Sequence, residues 1–482
     1  MKKVLFVTSE AVPFIKTGGL ADVAGALPKY FNKKDYEVRV ILPKYACMQE
    51  AHKKMMRYET HIYVELGWRK QYVGLLSAKS DGIQYYFIDN EFYFAGERPY
   101  NNIFEDIEKF AFFSKAVLEV LKVIDYQPDI LHCNDWQTAL VPVYLENIYK
   151  KDLFYQNMKT VFTIHNLKFQ GRWNLWAVRD ITGLPNELFT PNQMESYGEA
   201  NYLKGGIIYA DAVTTVSPTY AYEITTPEGG EGLDGLIQMN RYKLFGIVNG
   251  LDYDEFNPQN DKAISYLYGA EDCRIGKEKN KRALLESMGL AYDENLMLIG
   301  MVSRMTEQKG FALVEYMMDE ILSCGKFQMV VLGTGEERYE NMFCYFEEKY
   351  PDKLKANITY SEDTAHRIYA SADAFLMPSC FEPCGLSQLM SLRYGTVPIV
   401  RKTGGLKDTV EPYKQEEQSG TGFVFEHYNA HEMRDTLFYA YQVYKEHKPE
   451  WTALMKRGMR KDFSWTNSAR EYEHLYESLL HG

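Results

Sequence analysis

The sequence predicts an α/β protein built from two doubly wound domains. Three observations support this prediction. In the first half of the chain, apolar runs rich in β-branched residues alternate with helical patterns, as they do in parallel sheets covered by helices. The same alternation restarts near residue 296. With 482 residues, the chain is also too long for one typical hydrophobic core.

Nine apolar runs have the length and composition of buried strands. Five lie in the first domain and four in the second: 4–8, 36–43, 129–135, 160–166 and 211–217, then 296–303, 327–335, 373–379 and 395–400. Helical segments separate them. Between the first two runs, Leu20, Val23, Ala24 and Leu27 fall on one face of a helix.

The predicted domains are residues 1–247 and 248–455. The hinge is predicted at 248–258, where turn-forming residues interrupt the pattern. Residues 456–482 contain an amphipathic helix that either caps the second domain or crosses back to the first. Ligands of open α/β sheets bind outside the carboxyl ends of the strands, so we expect both domains to present loops to a central cleft.

Composition excludes several classes of partner. The chain has 54 basic and 66 acidic residues, a net charge of −12, so neither nucleic acid nor an anionic membrane is the expected partner. No apolar stretch has the length of a membrane span, and the N-terminal run is predicted to be a buried strand rather than a signal peptide. The seven cysteines are scattered, as is typical of reduced thiols in a cytoplasmic protein.

The pentapeptide KTGGL occurs twice, at residues 16–20 and 402–406. A helix that begins at glycines offers unpaired N–H groups to an anion. The first copy has such a start at Gly18 and Gly19, and the segment CGLSQLMSLRYG (384–395) has another at Gly385. Alternatively, these glycines serve only tight turns. Arg304 and Lys309 favour the first interpretation, because a strand-to-helix loop with two cations suits adjoining phosphates.

Other polar residues have a structural and a functional interpretation. Glu382 is either a partner for a helix N-terminus or a ligand for uncharged sugar hydroxyls. Cys380 and Cys384 are more consistent with two reduced thiols than with a metal site, and Asp252 and Asp254 are more consistent with a turn than with a metal site. His165 ends a predicted strand, where active-site residues are common, although a histidine there is otherwise a bonded core residue.

Motifs along nearly the whole chain resemble those of bacterial glycogen synthases and plant starch synthases. The motifs are MKKVLFVTSEAVPFIKTGGLADVAGALPK, HCNDWQTAL, VFTIHNLKFQG, ANYLKGGIIYADAVTTVSPTYAYEI, GLDGLI, VNGLDYDEFNP, SRMTEQKG and PSCFEPCGLSQLMSLRYGTVPIVRKTGGLKDTV. The resemblance implies the glycosyltransferase-B fold, with two Rossmann-like domains and a C-terminal helix that crosses back to the first. It also implies transfer of glucose from ADP-glucose to the non-reducing end of an α-1,4-glucan or maltooligosaccharide, with retention of configuration and without a metal cofactor.

The resemblance assigns roles residue by residue. Five residues are expected to act in catalysis: Lys16, His165, Arg304, Lys309 and Glu382. Main-chain groups of seven further residues are expected to contact the sugar and phosphate: Gly18, Gly19, Cys384, Gly385, Leu386, Thr403 and Gly404. Tyr360 matches the ring that stacks on adenine, while Lys402 lies at a variable position. The remaining cleft residues are Asp135, Asn166 and Asn249, with Tyr93 on the acceptor side. The family often has histidine where this chain has Asn134, a departure that concerns acceptor preference.

Two other functions remain open on sequence grounds. One is a catalytically silent glucan-binding protein of the same fold, which the retained catalytic set argues against. The other is a glucan phosphorylase-like enzyme, which requires a lysine linked to pyridoxal phosphate. Retention by double displacement and by front-face attack are both open, and the absence of an unassigned carboxylate in the motifs favours the front-face route.

Overall fold

A computed structural model describes residues 1–481, which divide into two compact units. The first contains Met1–Gly250 and the C-terminal segment from Trp465, and the second is Leu251–Ser464. The predicted divisions were after residues 247 and 455, whereas the structure divides after Gly250 and Ser464. The second division lies later because the helix Lys448–Arg460 runs through residue 455 and packs within the second unit against Ser387–Arg393.

The first unit contains a nine-stranded sheet and a small three-stranded one. Its strands are β1 (Lys2–Val7), β2 (Tyr36–Pro43), β3 (Arg57–Leu66), β4 (Arg69–Ser80), β5 (Ile83–Asp89), β6 (Ile130–Asn134), β7 (Lys159–Ile164), β8 (Arg172–Asn174), β9 (Glu195–Ser196), β10 (Glu199–Asn201), β11 (Ala212–Thr215) and β12 (Leu244–Gly246). The large sheet has the order β12-β11-β7-β6-β1-β2-β5-β4-β3. Pairing is parallel from β12 to β5 and antiparallel at β4 and β3.

The five strands predicted for this unit are confirmed as β1, β2, β6, β7 and β11. The antiparallel hairpin of β3 and β4 was not predicted. These strands alternate exposed and buried side chains over part of their length, so they lack the continuous apolar runs on which the prediction relied. The period-two alternation was the signal available for them.

Helices cover the sheet of the first unit. They are Gly19–Tyr30, Glu50–Lys53, Glu91–Phe94, Ile103–Val123, Leu140–Tyr144, Leu175–Thr182, Tyr202–Tyr209, Pro218–Glu223, Asp234–Met239 and Trp465–His481. Short 3₁₀ turns occur at Trp136–Thr138, Asn186–Leu188 and Arg241–Lys243, and a π-helical turn occurs at Leu145–Tyr149. None of the helices within residues 1–481 is both long and apolar enough to cross a membrane.

The C-terminal helix Trp465–His481 belongs to the first unit, so the crossing-back alternative is confirmed. Trp465, Tyr472 and Tyr476 are buried in the core of that unit. The Tyr476 ring stacks on Phe31 with centroids 5.6 Å apart, and its hydroxyl lies 2.5 Å from Nδ1 of His132. His132 is therefore a bonded core residue that ties β6 to this helix.

The second unit has one parallel six-stranded sheet. Its strands are β13 (Met297–Val302), β14 (Phe327–Leu332), β15 (Leu354–Asn357), β16 (Ala374–Met377), β17 (Val397–Arg401) and β18 (Phe423–Phe425), in the order β15-β14-β13-β16-β17-β18. Its helices are Cys273–Ser287, Phe311–Ser323, Glu337–Lys349, Glu362–Ser371, Ser387–Arg393, Gly404–Thr409, Ala430–Glu446 and Lys448–Arg460, with a 3₁₀ turn at Glu307–Lys309. The four predicted strands are confirmed as β13, β14, β16 and β17.

A buried ionic cluster connects the start of the second unit to its helices. Asp261 Oδ2 accepts hydrogen bonds from His366 Nδ1 at 2.7 Å and from the Tyr394 hydroxyl at 2.5 Å. Burial alone would raise the pKa of Asp261, but these bonds and the Ala263 amide outweigh it and lower that pKa. The ionised carboxylate therefore stabilises the folded unit.

We expect Asp261→Asn to lower the free energy of unfolding at pH 7 by about 2 kcal/mol, the scale of hydrogen bonds to a buried charge. A lowered folded pKa means that this stabilisation is present above the unfolded pKa of about 4 and is lost as pH falls through the folded value. The difference from wild type should shrink below about pH 4. Urea unfolding at several pH values measures it, with the exposed Asp363→Asn as control. A difference that persists unchanged at low pH would contradict the assignment.

Candidate active site

Each unit carries its own group of candidate residues at the carboxyl ends of its parallel strands. In the first unit the chain order of the sheet reverses at β1, which lies between β6 and β2. Such reversals are where open α/β sheets bind ligands. The Lys16 loop follows β1, Asn134 and Asp135 end β6, and His165 follows β7.

The loop of the first KTGGL is held by two carboxylates. Lys16 Nζ lies 2.8 Å from Oδ1 of Asp22, with both side chains mostly buried. Glu10 Oε2 accepts hydrogen bonds from the Thr17 amide at 2.5 Å and the Thr17 hydroxyl at 2.7 Å. Gly18 is the N-cap of Gly19–Tyr30, a helix without a side-chain cap. Its Cβ position is open, since the nearest atom is Glu10 Oε1 at 3.8 Å.

Asp135 holds the segment that carries His165. Asp135 Oδ1 accepts a hydrogen bond from the His165 amide at 2.7 Å. Its own backbone is strained, with φ 56° and ψ 178°, a region that residues other than glycine rarely occupy. Burial raises the pKa of Asp135 to about 7, while the amides of His165 and Asn166 oppose that rise. Strain at this position is typical of functional sites.

His165 is neutral, and its tautomer follows from Asn134. Burial lowers the pKa of His165 to about 3. The Asn134 amide nitrogen donates to the Val7 carbonyl at 3.0 Å, so its oxygen is the atom 2.9 Å from His165 Nε2. Nε2 therefore carries the proton, and Nδ1 holds the lone pair. A neutral imidazole at this position contacts a ligand through hydrogen bonds rather than charge.

Three further predicted residues of this unit differ in how they are held. Asn166 Oδ1 accepts from the Lys168 amide at 3.1 Å, which fixes the turn after β7. Asn249 is buried, and its Oδ1 accepts no hydrogen bond within residues 1–481; buried polar atoms of this kind call for an explanation such as a ligand. Tyr93 is 6% exposed and donates to Glu108 Oε1 at 2.7 Å, so its acceptor role stays a prediction.

The second unit places a cation and a carboxylate in contact. Lys309 Nζ lies 2.7 Å from Oε2 of Glu382, which is 5% exposed, and the Ser379 hydroxyl donates to the same oxygen at 3.0 Å. Because Lys309 offsets the negative charge of Glu382, this contact explains how a carboxylate occupies a site predicted to bind phosphate. Arg304 is exposed, and its guanidinium makes no ion pair in the described part of the chain.

The second KTGGL supports the loop that carries Glu382. Gly404 has φ 43°, and a Cβ there would lie 1.9 Å from the Glu382 carbonyl oxygen. The Gly405 amide donates to that same oxygen at 3.0 Å, and Thr403 is buried beside them. Lys402, in contrast, is paired with the exposed Glu426 at 3.0 Å. The glycines of this copy therefore allow close backbone packing.

The remaining predicted donor residues lie in this loop or, for Tyr360, after the edge strand β15. Cys384 is buried, Gly385 has φ 74°, and Leu386 is the N-cap of Ser387–Arg393. Tyr360 is 69% exposed, and its hydroxyl donates to Glu362 Oε1 at 2.7 Å. Exposure of its ring suits a base-stacking role.

Sequence reasoning missed three residues that hold these loops. They are Glu10, Asn134 in its contact with His165, and Gln388, whose Nε2 donates to the Cys384 and Gly385 carbonyls at 2.9 Å each. Glu10 and Gln388 lie inside motifs that were quoted, but their contacts are tertiary. The only signal in the sequence was a charged or amide residue within an otherwise apolar segment.

Two doubly wound units with polar loops at the carboxyl ends of their strands define a glycosyltransferase-B protein. Known families match both units: the starch synthase catalytic domain over residues 3–239 and the glycosyl transferases group 1 over residues 286–447. The chain is 61% identical to a glycogen synthase of Lachnospira eligens and 58% to one of Lachnoclostridium phytofermentans, each covering 99% of this chain and 100% of the relative. The chain belongs to the glycogen synthase family.

Solved structures agree with this assignment. The catalytic domain of starch synthase IV from Arabidopsis thaliana, bound to ADP and acarbose, superposes with a TM-score of 0.92 at 34% identity, covering 100% of this chain and 99% of the other. A sucrose-phosphate synthase from Thermosynechococcus elongatus shares the fold, with a TM-score of 0.64 at 15% identity.

Proposed function

We propose that this protein is a glycogen synthase that transfers glucose from ADP-glucose to the non-reducing end of an α-1,4-glucan, with retention of configuration. The observation that carries the proposal is similarity to glycogen synthases over the whole chain, with Lys16, His165 and the Lys309–Glu382 pair all held at strand ends. The ADP bound to the Arabidopsis relative supports an adenine nucleotide as the leaving group.

Lys16, Arg304 and Lys309 supply the charge that the reaction needs. Breaking the bond at the anomeric carbon builds negative charge on the departing diphosphate, so cations placed there lower the barrier. Lys309 is already oriented by Glu382, which limits its freedom before the substrate binds. Glu382 and neutral His165 then hydrogen-bond the sugar without placing another cation near its developing positive charge.

We propose front-face attack rather than double displacement. Of the carboxylates in the predicted set, Glu382 is held by Lys309 and Ser379, and Asp135 by main-chain amides. The ion pair with Lys309 makes the Glu382 carboxylate a weaker nucleophile, and the Asp135 carboxylate is directed at the main chain of His165. The leaving phosphate is then the group that assists the acceptor hydroxyl.

The test is the release of ADP from ADP-glucose with glycogen as acceptor. Release that depends on glycogen, with labelled glucose entering the polymer, supports the proposal. A protein that binds glycogen but releases no ADP would instead be a silent glucan-binding protein. Phosphate-dependent release of glucose 1-phosphate from glycogen would identify a phosphorylase. We also propose that it acts in the cytoplasm, because its seven scattered cysteines are typical of reduced thiols.

We expect activity to survive an excess of chelator, because protein cations neutralise the diphosphate. No group of three or more His, Cys, Asp or Glu side chains within residues 1–481 is arranged to hold a metal. Asp252 Oδ1 accepts the Asp254 amide at 3.0 Å, as in a turn. The measurement is ADP release before and after EDTA treatment. Collapse of activity, with recovery on adding Mn²⁺ or Mg²⁺, would contradict the account and make Asp252 and Asp254 the first candidates for ligands.

A further inference from the structure

Glu10 is a buried carboxylate to which the proposed mechanism assigns no role. It follows β1, is 3% exposed, and lies in a short apolar stretch of the N-terminal motif. Burying a carboxylate costs free energy unless hydrogen bonds or ion pairs compensate it. What Glu10 contacts therefore indicates what it does.

All the hydrogen bonds that the Glu10 carboxylate accepts come from the loop that carries Lys16. The Thr17 amide and hydroxyl donate to Oε2 at 2.5 and 2.7 Å, and the nearby Gly18 amide favours the ionised carboxylate, since it lowers the pKa of Glu10. These bonds fix the backbone and side chain of the residue that follows Lys16.

The outer end of the loop is fixed as well. Lys16 Nζ is paired with Asp22, which lies on the helix that the loop opens. Glu10 thus holds the loop at Thr17, and Asp22 orients the ammonium group of Lys16. The arrangement parallels that of Asp135, whose carboxylate holds the amide of His165.

We propose that Glu10 is a positioning residue whose carboxylate holds the Lys16–Thr17–Gly18 loop in its active conformation. This inference rests on the proposed function, in which Lys16 acts on the donor diphosphate. Glu10 has no part in the bond changes. It acts through Thr17 and Gly18, so its loss displaces Lys16 without removing it.

Protonation links this anchor to pH. Burial raises the pKa of Glu10 to about 7, while the bonds from Thr17 and Gly18 oppose the rise. The titratable groups facing Glu10 are Asp22 on the helix after the loop, Asp135 after β6, Tyr45 after β2 and Tyr100 before Ile103–Val123. Lys16, on the loop itself, pairs with Asp22. Protonation below about pH 7 turns an acceptor oxygen into a donor, which breaks one of the loop contacts.

The experiment compares Glu10→Gln with variants that separate positioning from stability. We expect Glu10→Gln to lower kcat about tenfold or more with little change in KM for glycogen, because a neutral amide has one acceptor oxygen and accepts weaker hydrogen bonds than a carboxylate. Thr17→Val should lower kcat severalfold, and Thr17→Ser, which restores the hydroxyl, should recover it. The control is Tyr155→Phe, which removes a buried bond of the same kind, to the Leu118 carbonyl; its kcat should stay within about twofold.

Two readouts separate positioning from a general loss of stability. The acidic limb of kcat/KM should move to lower pH in Glu10→Gln, because the variant has no carboxylate at residue 10 that can be protonated near pH 7. Hydrogen–deuterium exchange at Thr17 and Gly18 should accelerate about tenfold or more in Glu10→Gln but not in Tyr155→Phe. The exchange measurement needs no activity, so it still decides the loop contact if the wild type releases no ADP and the proposed function fails. Unchanged kcat, or unchanged exchange at Thr17 and Gly18, would overturn the inference.

Discussion

Replacing Lys16 by alanine is expected to lower kcat roughly a hundredfold or more, the usual scale for a charge contact made in the transition state. Lys402→Ala, in the second copy of the same pentapeptide, is expected to change kcat only a few-fold. The reason is the setting of each side chain. Lys16 is mostly buried on a loop fixed by Glu10 and Asp22, whereas Lys402 pairs with Glu426 on the surface, where ion pairs contribute little.

The measurement is ADP release by the purified, folded variants at saturating ADP-glucose and glycogen. Because the two substitutions are chemically identical, each serves as the control for the other. Thermal unfolding of both variants verifies that they remain folded. Equal losses of kcat would mean that the two pentapeptides are functionally equivalent, and would contradict the distinction drawn from their surroundings.

Gly404→Val is expected to lower activity roughly a hundredfold or more, even though Gly404 has no side chain to offer a substrate. Its φ of 43° lies in the left-handed region, and a Cβ would sit 1.9 Å from the Glu382 carbonyl oxygen. The loop holding Glu382 must then move, and the contact of Glu382 with Lys309 moves with it. Displacing the Glu382 carboxylate in this way is enough to lose catalytic alignment.

The matched control is Gly289→Val. Gly289 has a similar left-handed φ of 69°, but a Cβ there meets nothing within 4 Å. This variant carries the backbone strain of a branched residue at positive φ, about 1–2 kcal/mol, without a clash at the Glu382 loop. It should keep near-normal kcat with a modest loss of stability. Similar kcat losses in both variants would show that strain alone, and not the Glu382 contact, is responsible.

The predicted and observed folds agree at most of the continuous apolar runs, although β5, a parallel and largely buried strand, was not predicted. The five predicted strands of the first sheet and the four of the second are central parallel strands, and their burial on both faces is visible in composition. The hairpin of β3 and β4 was missed because one face of it is partly solvated. The division after residue 455 was misplaced because a continuous helix carries no boundary signal.

The candidate site was predictable as a set of motifs but not as a set of contacts. Lys16, Arg304, Lys309 and Glu382 were identified from charge and glycine patterns together with a family resemblance. That Glu382 pairs with Lys309, 73 residues away in sequence, depends on the pairing of strands. The support that Gly404 provides to Glu382 likewise depends on the close packing of two loops. A glycine in a sequence does not reveal which segment packs against it.

The C-terminal helix imposes an order on biosynthesis. Residues 251–464 must be translated after most of the first unit has emerged and before its last helix exists. At about 5–20 residues per second, that interval lasts roughly 10–40 s. During it, Phe31 and His132 lack their partner Tyr476, so the nascent first unit exposes apolar surface that chaperones recognise. The second unit, contiguous in the chain, completes its core first.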